Sequence, residues 1–102
     1  MNVITHSELE NLISTEDIVV VDFFAEWCAP CRLMAPDFAK VAATFDGKAT
    51  FVKVDVDNNP DSSVKFSLSS LPTVLIFKDG KQIKRFVGLV KAPVLTEFIE
   101  SI

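Results

Sequence analysis

Apolar positions change their period along the chain, and each change marks an element. Leu9, Leu12 and Ile13 recur at helical spacing. Thr5-His6-Ser7-Glu8 has the form of a capping box, with Thr5 as N-cap and Glu8 reaching back to it. Ile18–Phe24 is a short β-branched and aromatic run, apolar on both faces and broken only by Asp22. This predicts a central strand in a sheet covered on both sides. Pro30 suits the first turn of a helix whose apolar face carries Met34, Phe38, Val41 and Phe45. Pro36 falls inside that helix and predicts a kink, and Asp46-Gly47 ends it.

Phe51–Val56 alternates, with Val52, Val54 and Val56 on one face and Phe51, Lys53 and Asp55 on the other. Asn58-Asn59-Pro60 is turn chemistry, and a short helix is expected around Asp61–Phe66. Thr73–Phe77 and Gln82–Val87 flank Asp79-Gly80, a hairpin signal. Lys91–Ile102 reads as a closing helix, with Pro93 near its start and Leu95, Phe98, Ile99 and Ile102 on one face. With a weak first strand at Val3-Ile4, the order is β-α-β-α-β-α-β-β-α. Early alternation and a late hairpin predict an α/β fold, a central mixed sheet with helices on both faces. Residues 1–102 are expected to form one domain.

Composition narrows the function classes. At 49 % apolar residues with three Gly and five Pro, the chain has enough apolar material for a packed core, which excludes disorder. The longest apolar runs are the four-residue stretches Ile18–Val21 and Val74–Phe77, far short of the ~20 that a membrane-spanning helix needs. Met1–Leu9 has neither the basic nor the apolar region of a secretory signal. A cytoplasmic location is expected, with an organelle after transit-peptide removal left open. The net charge of −4 argues against a nucleic-acid partner. Charge is uneven, with eleven acids and four bases up to Asp61 but three acids and six bases beyond it. A solvated surface accounts for that.

The two cysteines change the picture most. Cys28 and Cys31 lie three apart, a spacing that random placement would produce in roughly 2 % of cases. They sit at the expected start of a helix, where side chains three apart are neighbours and a disulfide is feasible. A thiol there faces unpaired N–H groups and the positive end of the helix dipole, which favour thiolate. Cys28 is therefore expected to be the exposed nucleophile, and Cys31 the shielded resolving thiol. A zinc site would need more ligands than two Cys and the distant His6, and an iron–sulfur cluster would need a second chain. A structural bridge closing so short a loop would stabilise little. Asp22 is a lone acid in an apolar strand, where burial should raise its pKa and fit it to carry a proton. His6 is expected to be a surface residue.

Trp27-Cys28-Ala29-Pro30-Cys31-Arg32 resembles the active-site hexapeptide of thioredoxins, and the likeness runs through the chain. Val21–Glu26 resembles the strand leading into that motif, and Pro36 the kinking proline of the active-site helix. Lys53-Val54-Asp55-Val56-Asp57 resembles the third strand, Leu71-Pro72-Thr73 the cis-proline segment and Val87-Gly88 the end of the hairpin. Ala29 stands where Gly is usual, Arg32 where Lys is usual and Phe24 where Trp is common, departures that bear on potential and partner choice.

The resemblance implies a thioredoxin fold and a thiol–disulfide oxidoreductase that reduces protein disulfides through Cys28 and Cys31. It implies Asp22 as proton relay with Lys53 as its neighbour. It also implies a docking surface of Trp27, Ala29, Pro30, Leu71, Pro72, Val87, Gly88 and Leu89, with Pro72 cis against the disulfide. Regeneration would come from a thioredoxin reductase using NADPH, since the chain has no dinucleotide fingerprint and should bind no cofactor or metal itself. Clients would be disulfide-containing proteins such as peroxiredoxins, and the protein a monomer that binds no membrane. Two alternatives stand beside this: an oxidant or isomerase of the same fold, and a redox-independent binding subunit. Isomerase-type domains carry His where this chain has Pro30, which points to the reducing end.

Overall fold

A computed structural model describes residues 2–102. Its elements run β1 (Asn2–Val3), α1 (His6–Thr15), β2 (Ile18–Phe24), α2 (Ala29–Thr44), β3 (Thr50–Asp55), α3 (Pro60–Lys65), β4 (Thr73–Lys78), β5 (Lys81–Val87) and α4 (Ala92–Glu100). The sheet has the order β1-β3-β2-β4-β5. β2 pairs in parallel with β3 and antiparallel with β4, so it is central and the sheet is mixed. The weak first strand is Asn2–Val3 and pairs in parallel with β3.

Strand parity sorts the side chains into two apolar layers. Val19, Val21 and Phe23 of β2 and Val52 and Val54 of β3 join Leu9 of α1 and Phe66 just after α3. On the opposite face Val20 and Phe51 pack with Met34, Phe38 and Val41 of α2 and Leu95 and Ile99 of α4. Helices thus cover both faces, as a strand without a polar face requires. Each large side chain buried this fully contributes roughly 1.5–3 kcal/mol of transfer free energy.

Local chemistry sets the element ends. Both halves of the capping box form at α1: Glu8 N–H donates to the Thr5 hydroxyl, and Thr5 N–H donates to the Glu8 carboxylate. α2 continues through Pro36, which offers no N–H to the preceding turn, as far as Thr44. Asp79 (φ 51°) and Gly80 (φ 82°) both take the left-handed backbone that a two-residue hairpin turn demands.

Candidate active site

The connection between β2 and α2 carries Ala25-Glu26-Trp27-Cys28. Cys28 is the N-cap of α2, and its Sγ accepts the Cys31 N–H at 3.2 Å. A sulfur thus takes the place usually filled by a Ser or Asp oxygen. Cys28 and Cys31 are joined in a disulfide with Cα atoms 5.3 Å apart. On reduction, charge at Cys28 would face the N–H groups and the positive end of a 16-residue helix, which lowers a thiol pKa.

The expected contrast in exposure is corrected. Cys28 is 4 % exposed and Cys31 3 %, so both are buried. Capping turns the Cys28 sulfur in over the first turn, where Ala25, Phe24, Val56 and Leu71 pack around the pair. The asymmetry between the two is one of position: Cys28 precedes the helix and Cys31 lies within it.

Asp22 is fully buried and lies directly across from Lys53 in the β2–β3 pair. Lys53 Nζ stands 3.9 Å from Asp22 Oδ2, and neither carboxyl oxygen has a hydrogen-bond partner among the described residues. Burial therefore dominates and pushes the Asp22 pKa up from 3.8 to about 6, with Lys53 opposing the rise. The ammonium also sits 4.6 Å from the centre of the Phe24 ring. Lys53 and Cys31 line one cavity of about 250 Å³ together with Phe24, Ala25, Glu26 and Arg32. The Arg32 guanidinium turns back to donate to the Glu26 carbonyl at 2.7 Å.

The surface residues divide. Trp27 is 69 % exposed, and Ala29, Pro30, Val87 and Leu89 are exposed as well. Leu71 and Gly88 are half-buried, and Pro72 is buried. The Leu71–Pro72 bond is cis, and the Pro72 carbonyl accepts the Gly88 N–H at 2.8 Å, which ties the segment before β4 to the end of β5. The Pro72 ring itself is thus turned away from solvent. It opens the interior strand β4, where there is no room to face solvent.

One residue was not legible as part of the site from sequence. Asp57 Oδ2 accepts the Trp27 Nε1–H at 2.8 Å. Asp57 belongs to an acid- and Asn-rich turn, and its pairing with a residue 30 positions away needs the tertiary fold. His6 is also corrected. Its ring is half-buried, with Nδ1 2.7 Å from the hydroxyl of fully buried Ser62 and Nε2 2.7 Å from Glu10. Docking of α1 beside α3 draws it in. Among the described residues no helix is long and apolar enough to cross a membrane, and no three His, Cys, Asp or Glu side chains group as metal ligands would.

The thioredoxin family model matches residues 1–101. The chain belongs to the thioredoxin family. It is 40 % identical over 98 residues to a thioredoxin of Staphylococcus saprophyticus, covering 96 % of this chain and 93 % of that one. A Plasmodium falciparum thioredoxin structure superposes with a TM-score of 0.88 at 35 % identity, covering 98 % of this chain and 96 % of that one. A structure on the thiol resolving mechanism in yeast mitochondrial 1-Cys peroxiredoxin via glutathione/thioredoxin systems matches with a TM-score of 0.88 at 31 % identity, covering 100 % and 94 %. The sheet and helices described above are thus the thioredoxin fold. Family membership and the disulfide together decide between the readings of the cysteine pair. The protein is a thiol–disulfide oxidoreductase that reduces disulfides of client proteins through a redox-active dithiol.

Proposed function

We propose that Cys28 is the attacking thiol and Cys31 the resolving one, with Asp22 as proton acceptor and Lys53 as its tuning partner. The Cys28 thiolate attacks one sulfur of a client disulfide. That bond breaks, the second client sulfur leaves as thiolate and takes a proton from solvent, and a Cys28–client mixed disulfide remains. Cys31 then loses its proton to the Asp22 carboxylate and attacks the Cys28 sulfur. The client sulfur held by Cys28 leaves as thiolate and is protonated, and the Cys28–Cys31 disulfide closes. Two electrons have passed to the client. The cavity that Cys31 shares with Lys53 supports this proton path, because Lys53 stands against Asp22. The pKa of about 6 also leaves a base that is ionised at neutral pH.

Trp27, Ala29, Pro30, Leu71, Val87, Gly88 and Leu89 form the client-docking surface around the disulfide, with Pro72 shaping its backbone. A thioredoxin reductase returns the electrons from NADPH, and peroxiredoxins are among the clients. The chain works as one monomeric domain in the cytoplasm, a compartment that keeps thiols reduced. The observation that carries this assignment is the disulfide across the first turn of α2. Insulin reduction with NADPH and a thioredoxin reductase, set beside reactivation of scrambled ribonuclease, tests it. Rapid insulin reduction with little reactivation is expected; the reverse pattern would make the protein an isomerase.

A further inference from the structure

Trp27 is exposed beside Cys28, so packing alone does not hold its indole. Its Nε1–H is tied to Asp57, and Asp57 lies in the stretch between the end of β3 and the start of α3. That stretch closes on Asp55, which is only 7 % exposed. Asp55 Oδ1 accepts the Asp57 N–H at 2.9 Å, and Oδ2 takes the Asn58 side-chain amide at 3.4 Å. The Asp55 carbonyl accepts the Asn59 Nδ2–H at 2.9 Å, and Asn59 Oδ1 accepts the His6 N–H at 2.9 Å. Polar bonds thus run unbroken from the first residue of α1, through Asn59, Asp55 and Asp57, to the indole next to the disulfide. A buried carboxylate whose donors all come from one loop sets the shape of that loop.

We infer that Asp55 and Asn59 are positioning residues for Trp27: they fix the loop from which Asp57 holds the indole beside Cys28. The consequence for turnover rests on the client-docking role proposed above for Trp27, and the consequence for the indole does not. Trp27 is the only Trp and the chain has no Tyr, so indole emission reports this one site.

Asp55→Ala and Asn59→Ala should each add a fast component to the Trp27 anisotropy decay. They should also raise KM for a protein disulfide about threefold to tenfold, with kcat changed less. Asp55→Asn keeps an acceptor for the Asp57 N–H and should restore both. Added to Trp27→Ala, the Asp55→Ala change should leave KM where Trp27→Ala alone put it. A folded Asp55→Ala variant with the wild-type decay and KM overturns the inference, as does a KM effect that persists undiminished without the indole. If Asp55→Ala does not fold, the same two quantities are measured on Asn59→Ala, and wild-type values there overturn the inference equally. If the wild-type protein reduces no client disulfide, the functional assignment fails, and the anisotropy decay alone then decides the inference.

Discussion

Asp22 and Lys53 face each other across the parallel β2–β3 pair, with the ammonium 3.9 Å from a carboxyl that has no hydrogen-bond partner among the described residues. This places a single poorly compensated charge in the sheet, against the helix that carries both cysteines. The ion pair offsets part of the desolvation penalty, and burial still wins.

The sign of the pH effect follows. With its pKa raised from 3.8 to about 6, folded Asp22 holds a proton that the unfolded chain has already released. Stability from this group is therefore greatest below the unfolded pKa and is lost as pH rises from about 4 to about 6. Asp22→Asn keeps the shape and removes the charge. It should stabilise the protein by about 1–3 kcal/mol at pH 8 and hardly at all at pH 3. Urea unfolding at the two pH values checks this, and a gain confined to acid pH would contradict it.

Lys53 lowers the Asp22 pKa against the effect of burial. Lys53→Met keeps an apolar stem over Phe24 and removes the cation, so Asp22 should titrate above about 6. The carboxyl carbon signal of Asp22, followed by NMR against pH, reads this directly. An unchanged midpoint would mean that the ammonium is screened from the carboxylate.

The order of attack can be trapped. Cys31→Ser leaves Cys28 as N-cap of α2 with no resolving sulfur, so it should accumulate a mixed disulfide with client protein. Intact-mass analysis after incubation with a disulfide substrate should show the adduct in Cys31→Ser and none in Cys28→Ser. Adducts found only in Cys28→Ser would reverse the two roles.

Pro30 lies in the first turn of α2, between the two cysteines. Pro30→His would place an imidazole there, whose charged form stabilises the thiolate and hence the reduced protein. The reduction potential should become less negative by roughly 30 mV or more, a tenfold change in the equilibrium constant. Equilibration with glutathione measures it. No rise would remove the electrostatic account of the choice of proline.

Local pattern by itself determined a good part of this protein. The both-faces-apolar run Ile18–Phe24 read as a covered central strand, the Thr5–Glu8 box as a helix start and Asp79-Gly80 as a hairpin turn, and all three formed. Those are interactions within a few residues, so the order of residues is enough to specify them. The Cys28–Cys31 spacing likewise made the redox pair legible, because one helical turn brings the sulfurs together. Only the tertiary structure decided how each side chain is surrounded. The burial of the Cys28 sulfur depends on Leu71 and Val56 from other elements, and the seclusion of Pro72 on its place entering an interior strand. His6 gains Ser62 from α3, and Trp27 gains Asp57 from the loop after β3. The last two contacts join positions 56 and 30 residues apart, and burial and register set them rather than any local preference of the chain.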